Sequence, residues 1–233
     1  MPNTGLKKEH MIDYEEYMDL YGQLESATEL FTYYRSAMQE LETRLNMLND
    51  YFSMYSEQNP ITAIHTRLKS IDSIFEKLKR RDFPVNVQSI IDNLYDVAGI
   101  RVICPFIDDV YRVSDKLLKQ DDIILVEKKD YIMFPKPNGY RSLHLLIEVP
   151  VFLPPGKRMV KAEVQMRTIA MEFWANLEHS MRYKKDTDPE TMKEISEELK
   201  NCALTSNELD RRMQEIRYRI EGEQLLKTEG DQE

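Results

Sequence analysis

Residues 141–168 read RSLHLLIEVPVFLPPGKRMVKAEVQMRT. Two apolar-rich runs flank a Pro-Pro-Gly-Lys turn, and each alternates with the period of two that marks a half-buried strand. In the first run Leu143, Leu145, Ile147 and Val149 share one face, leaving Ser142, His144 and Glu148 on the other. In the second, Val160, Ala162, Val164 and Met166 face one way, and Lys161, Glu163, Gln165 and Arg167 face the other. A turn over 154–157 predicts a hairpin in which paired residue numbers sum to about 311, although a slip of two would keep the faces. That register sets Glu163 opposite Glu148 and His144 opposite Arg167. A sheet face carrying Glu, Gln, Arg and His is either solvated or a site.

Outward from the hairpin, elements alternate. DVAGIRVIC (96–104) contains a buried strand over 100–104, IDDVYRVSDKLLKQ (107–120) reads as a helix, and IILVEKK (123–129) reads as a strand. MFPKPNGY (133–140) is a loop by its prolines and glycine, and TIAMEFWANLEHSMRY (168–183) is a helix. Upstream, residues 28–56 contain no Gly or Pro, and apolar residues at 34, 38, 41, 45, 48 and 52 predict a long amphipathic helix. Asn59-Pro60 reads as a helix start, so a second helix is expected over 60–81 with Ile61, Ile64, Leu68, Ile71, Phe75 and Leu78 buried. Pro84 breaks it before a short helix at about 87–95. Downstream, Ile195, Leu199, Cys202, Ser206, Leu209, Met213, Ile216 and Ile220 form a heptad seam on a last helix over 190–221, for a helix of this chain or of another subunit. The expected fold is mixed α/β: a central mixed sheet of about four to five strands flanked by long N- and C-terminal helices. Its parts are an N-terminal helical segment (1–59), a core (60–185) and a C-terminal helix with a frayed tail (186–233), together one compact domain.

Charge follows the same division. The 233 residues carry a net charge of −9. Residues 1–59 hold 4 basic and 11 acidic side chains, and residues 186–233 hold 7 and 14, so each end is −7 and the middle is +5. An acidic chain is a poor general binder of nucleic acid, but a local basic pocket still attracts phosphates. No apolar run reaches the ~18–20 residues of a membrane helix, and the N-terminal residues show no signal core. The two cysteines, Cys104 and Cys202, form no CxxC, which excludes a disulfide scaffold and fits the cytoplasm. P-loop and dinucleotide fingerprints are absent, and His10, His65, His144 and His179 are not spaced as metal ligands.

Three further features could carry chemistry. Lys69, Ser73 and Lys77 recur at i, i+4 and i+8 with Arg80 following, a row that could hold a polyphosphate or simply be solvated. Arg67 lies off that row. Arg101 stands inside an apolar strand, where a guanidinium needs a carboxylate or a phosphate, and Asp96 lies just upstream. Tyr140, after Pro-Asn-Gly, could stack on a base or pack on the core.

Together RLKSIDSIFEKLKRR (67–81), DVAGIRV (96–102), KDYIMFPKPNGYRSLH (129–144) and EVQMRTIAMEFWANLEH (163–179) resemble the RelA/SpoT-type alarmone synthetase domain, in the family's order. The wording is most similar to the small single-domain synthetases of Firmicutes. The resemblance implies transfer of the β,γ-pyrophosphate of ATP to the 3′-hydroxyl of GDP or GTP, giving AMP and ppGpp or pppGpp. It implies that Asp96 and Glu163 hold Mg²⁺, with Glu163 also the base. It puts Arg67 and Arg101 on the adenine and Lys69, Ser73, Lys77 and Arg80 on the ATP phosphates. Tyr140 would stack on guanine, with Lys136, His144, Gln165 and Arg167 lining the acceptor side. Glu172 would accept from guanine, and Lys129 stands where relatives carry Arg on a phosphate. A cytoplasmic homotetramer with no membrane or stable nucleic-acid partner is implied. The alternatives are a related transferase with another acceptor, such as an adenine nucleotide or a tRNA 3′ end, and an inactive nucleotide- or RNA-binding module.

Overall fold

The computed structural model describes residues 14–55, 59–182 and 188–230. Its elements are α1 (Tyr14–Tyr55), β1 (Ala63–Leu68), α2 (Ile71–Arg80), α3 (Val87–Asn93), β2 (Ala98–Cys104) and α4 (Ile107–Leu118). They continue as β3 (Ile124–Asp130), β4 (Leu143–Leu153), β5 (Gly156–Thr168), α5 (Ile169–Arg182) and α6 (Pro189–Gly230). The five strands form one mixed sheet in the order β1-β2-β5-β4-β3, with β2 and β5 parallel and the other neighbours antiparallel.

The hairpin has the expected faces and a different register. Leu153 pairs with Gly156, so the turn is only Pro154-Pro155, and Gly156 takes a φ of +130°, which glycine accepts without strain. Pairing therefore slips by two: Glu163 lies opposite Leu146, Glu148 opposite Lys161, and His144 opposite Gln165. The expected pairs Glu163–Glu148 and His144–Arg167 do not form. The apolar face survives the slip, and Leu143, Leu145, Ile147, Val149, Val160, Ala162, Val164 and Met166 are all buried. Helices α1 and α4 pack on this face, contributing Tyr33, Leu41 and Leu45 from α1 and Val110, Val113 and Leu117 from α4. Arg44 fastens α1 to the loop before β3 through paired bonds to Asp122 at 2.6 and 2.7 Å.

Residues 60–81 are not one helix. Ala63–Leu68 is a strand, pairing antiparallel with the free edge of β2, and the ladder is extended by Thr62 N–H to Ile103 (2.7 Å) and Lys69 N–H to Val97 (2.9 Å). Ile64 and Thr66 are β-branched and suit a pleated edge. Ser70 then caps α2, its Oγ accepting from the Ser73 amide. The buried side chains of α2 are Ile74 and Leu78, whereas Ile71 and Phe75 are exposed, against expectation.

Helix α6 also presents a different face from the one its heptad suggests. It rests on α5 and α4 through Ala203, Asp210 and Gln214, all buried. Asp210 accepts from Thr168 at 2.6 Å, Gln214 accepts from the Asp108 amide, and Arg217 pairs with buried Asp109 at 2.8 Å. The seam residues Cys202, Leu209, Met213, Ile216 and Ile220 are exposed. The expected tail is helical to Gly230, and residues 231–233 lie outside the described residues.

Candidate active site

Sheet register places the polar side chains. Arg67, Gly99, Glu163, Leu146 and Glu127 form one rung across the five strands, and His65, Arg101, Gln165, His144 and Lys129 form the next rung on the same face. Gly99 has no side chain, which leaves the place beside Glu163 open.

Asp96 enters from the turn before β2. Its Oδ2 accepts from Lys69 at 2.9 Å and Lys77 at 2.7 Å, while its Oδ1 is buried without a hydrogen-bond partner. Burial works against its charge, but the Lys77 and Lys69 ammonium groups outweigh burial and hold Asp96 below the usual carboxylate range. Glu163 behaves alike. Burial opposes its ionisation, and the bonds from His144 Nδ1 to Oε1 (2.9 Å) and from Gln165 Nε2 to Oε2 (2.9 Å) more than offset it.

Two cavities meet at this pair of carboxylates. One, of about 430 Å³, is lined by His65, Arg67, Lys69 and Arg101 together with Asp96, Glu163 and Gln165. The other, of about 520 Å³, is lined by Lys77, Arg81, Lys129, Tyr131, Lys136 and His144 with the same two acids. Lys136 Nζ stands 4.6 Å from the Tyr131 ring centre and 4.9 Å from that of Tyr140.

Arg101 pairs not with Asp96 but with Glu172, at 2.9 Å. Glu172 accepts from Arg167 through its other oxygen (2.7 Å) and from Asn176. Burial resists its charge, and Arg167 and Arg101 overcome that and depress it. Glu172 thus bridges two arginines, with both oxygens engaged. Tyr140 hydrogen-bonds His144 at 2.8 Å and Arg167 at 2.7 Å.

Asp96, Glu163, Arg67, Lys69, Lys77, Arg101, Lys136, His144 and Gln165 all line one or both cavities. Ser73, Arg80, Tyr140, Arg167 and Glu172 line neither. Ser73 is tied to Ser70 at the start of α2, and Arg80 is exposed. Arg81, His65 and Tyr131 line the cavities without having been anticipated. Arg81 had a signal, because the row Ser73, Lys77 continues at Arg81 rather than Arg80. His65 had none, since its place depends on β1 being a strand.

Residues 66–188 match the family model described as a region found in RelA / SpoT proteins. GTP pyrophosphokinase YwaC of Bacillus subtilis (strain 168) is 41% identical over 188 residues, covering 81% of this chain and 89% of that one. GTP pyrophosphokinase YjbM of the same strain is 35% identical over 189 residues, 81% of this chain and 87% of that one. Among solved structures, small alarmone synthetase 1 from Bacillus subtilis bound to its product pppGpp superimposes with a TM-score of 0.75 at 34% identity, covering 83% of this chain and 97% of that one. Small alarmone synthetase 2 from Bacillus subtilis gives 0.73 at 41% identity, with 82% and 98% covered.

Proposed function

This chain belongs to the RelA/SpoT family, and we infer that it is a GTP pyrophosphokinase. It moves the β,γ-pyrophosphate of ATP onto the 3′-hydroxyl of GDP or GTP, making ppGpp or pppGpp and AMP. The observation that carries the reading is the pair Asp96 and Glu163 at the junction of two cation-lined cavities. An in-line transfer needs one place for each nucleotide and a carboxylate between them.

The first cavity takes ATP. Arg67 and Arg101 are diagonal neighbours across β1 and β2, about 7–8 Å apart at the backbone, which allows guanidinium groups on both faces of an adenine ring. Lys69 in this cavity, and Lys77 reaching Asp96 from the second, leave Asp96 for the ATP phosphates. The second cavity takes the guanosine nucleotide, with Tyr131 in its wall offering a ring, Tyr140 standing behind Lys136 at its edge, and Lys136, Lys129 and Arg81 offering charge to its phosphates. Glu163 accepts the 3′-hydroxyl proton. The freed oxygen bonds to the β-phosphorus of ATP, the bond from that phosphorus to the α–β bridging oxygen breaks, and AMP departs with that oxygen.

The donor set fits Mg²⁺. Asp96 Oδ1 is a buried oxygen with no partner, and a carboxylate pair leaves the remaining positions to phosphate oxygens and water. Asp96 and Glu163 would hold the ion, which supplies charge neutralisation on the phosphoryl oxygens. Among the described residues no group of three or more His, Cys, Asp or Glu could hold a metal unaided, so binding with the nucleotide is the expected mode.

The protein works as a homotetramer in the cytoplasm. Leu209, Met213, Ile216 and Ile220 on α6 and Phe173 on α5 are exposed, an apolar surface suited to another subunit. No helix among the described residues is long and apolar enough to cross a membrane.

The test is purified protein with Mg²⁺, GDP and γ-labelled ATP, resolved by thin-layer chromatography. Label moves to the guanosine nucleotide with equal AMP release, and Glu163→Gln, still folded, loses transfer by at least about a thousandfold. Label on ATP or tRNA in preference to GDP would make it a transferase with another acceptor. Nucleotide binding without transfer would make it a binding module.

A further inference from the structure

Five side chains close a ring on the polar face of the sheet. Arg167 Nη2 donates to the Tyr140 hydroxyl at 2.7 Å and to Gln165 Oε1 at 3.2 Å. The Tyr140 hydroxyl lies 2.8 Å from His144 Nε2, and His144 Nδ1 lies 2.9 Å from Glu163 Oε1. Gln165 Nε2 donates to Glu163 Oε2 at 2.9 Å and returns the ring to its start.

The Glu163 carboxylate only accepts, so His144 Nδ1 donates to it, and the Tyr140 oxygen accepts from the Arg167 guanidinium, which only donates. A neutral imidazole then offers Nε2 as acceptor for the Tyr140 O–H. Gln165 is ordered in the same way, its oxygen taking Arg167 and its amide giving to Glu163. Two arms therefore leave one guanidinium and end on the two different oxygens of one carboxylate. A carboxylate turns easily about its last torsion, and a donor on each oxygen fixes its plane.

Arg167 itself is walled off. Its side chain is 6% exposed, its Nη1 is spent on Glu172, and it lines neither cavity. We propose that Arg167 is a positioning residue that orients Glu163 for the 3′-hydroxyl through Tyr140–His144 on one oxygen and Gln165 on the other. Tyr140 thereby serves twice, its ring meeting the guanine while its hydroxyl sets the base. The proposal rests on Glu163 being the base. The other charged groups facing Glu163 are Asp96, from the turn before β2, with the two lysines bonded to it, Arg67 and Arg101 from β1 and β2, Glu127 and Lys129 from β3, and Lys136 from the loop after β3.

Two variants separate this role from substrate binding. Tyr140→Phe keeps the ring and removes the hydroxyl. Arg167→Lys keeps the charge and loses the fork that serves both arms. Losing one arm is expected to lower kcat about tenfold with the KM for GDP within about twofold. Arg167→Lys is expected to lose more, and adding Tyr140→Phe to it should cost little further. In parallel, nitrogen NMR of ¹⁵N-histidine-labelled protein without nucleotide reads the His144 tautomer. The Nδ1–H form is expected in the wild type, and Tyr140→Phe should lose it. Wild-type transfer reports on the enzyme reading alone, and the tautomer reports on the ring even where no transfer occurs. If Arg167→Lys fails to fold, Tyr140→Phe decides. Wild-type kcat in Tyr140→Phe, a raised GDP KM at unchanged kcat, or an Nε2–H His144 in the wild type would each overturn the proposal.

Discussion

Replacing Gly139 by alanine tests whether the acceptor loop is held by α6. The loop between β3 and β4 is tightened by Gly139 N–H to the Lys136 carbonyl at 2.8 Å and by Lys136 N–H to the Tyr140 carbonyl at 3.1 Å. Asn138 ties it to Glu178 on α5. Gly139 has a φ of +90°, and a Cβ there would fall 2.4 Å from the Ala203 Cβ of α6. Two costs add. The left-handed backbone costs a residue with a Cβ about 1–2 kcal/mol, and the overlap costs about 1–3 kcal/mol. A penalty of about 2–5 kcal/mol exceeds what a surface loop resists, so the loop lifts from α6 and takes Lys136 and Tyr140 with it. Steady-state kinetics should show the KM for GDP rising at least about tenfold while the KM for ATP, bound on the β1–β2 side, stays within about twofold. Ala203→Gly is the compensating change. It removes the overlap but not the φ cost, and glycine within α6 costs about 1 kcal/mol of its own. The double variant should recover about 1–3 kcal/mol of coupling in a mutant cycle. Wild-type GDP KM and melting temperature in Gly139→Ala, or no recovery on adding Ala203→Gly, would refute the docking argument.

Arg217→Met takes away one of the two arginines on Asp109, whose side chain is 3% exposed, and leaves Arg112 on the other oxygen at 2.8 Å, so it should cost about 1.5–3 kcal/mol in urea denaturation. Lys69→Met and Lys77→Met each remove one ammonium from Asp96. Each should weaken binding of a non-transferable ATP analogue about tenfold by calorimetry, and the double variant should raise the Asp96 carboxyl above its usual range. If the proposed tetramer forms through α6, Leu209→Glu with Met213→Glu should give a smaller, folded species by light scattering. Acid stability follows from the depressed carboxylates. Asp96, Glu163 and Glu172 ionise more readily folded than unfolded, so their contribution is full above about pH 4 and is lost as pH falls through their lowered values. A circular-dichroism acid titration should show the loss below pH 4, and the Lys69→Met, Lys77→Met double variant should unfold at higher pH. Burial lifts Asp109 and Asp210 instead, so their contribution declines as pH rises above the ordinary carboxylate range.

What the sequence made legible depended on whether a signal was local. The two faces of β4 and β5 were plain because alternation survives any even slip, whereas the register was decided by a turn of two prolines that composition placed only roughly. Residues 60–68 misled because Ile61, Ile64 and Leu68 keep a helical spacing after a proline. What makes 63–68 a strand is the open edge of β2, which lies about thirty-five residues away in sequence and is invisible to periodicity. The seam on α6 was real as a pattern. Hydropathy could not reveal that the buried side of that helix is partly polar, because Asp210 and Gln214 are held there by hydrogen bonds from Thr168 and the Asp108 amide rather than by apolarity. Most residues of the site were reachable through the four motifs. Their wiring was not, since Arg167, Tyr140, His144, Gln165 and Glu163 come from two strands and a loop and meet only through pairing.

Part of the excess of positive charge over 60–185 lies in the site itself, where four cations share two carboxylates. Lys69 and Lys77 share one oxygen of Asp96, and Arg101 and Arg167 divide the two oxygens of Glu172. These cations could not remain half-buried and unpaired at acceptable cost. A triphosphate carries more charge and more acceptor oxygens than one carboxylate, so ATP can draw Lys69 and Lys77 away without leaving them unsatisfied. The exchange leaves Asp96 with an oxygen freed beside one already unpartnered, which is the donor arrangement a hard divalent ion requires. Arg167 differs, because its side chain is nearly sealed and its bonds run to Tyr140, Gln165 and Glu172. The same polar face thus holds exchangeable cations at the cavity walls and a fixed one behind the base. That division suits a site where substrates must displace charge on entry while the reacting carboxylate stays still.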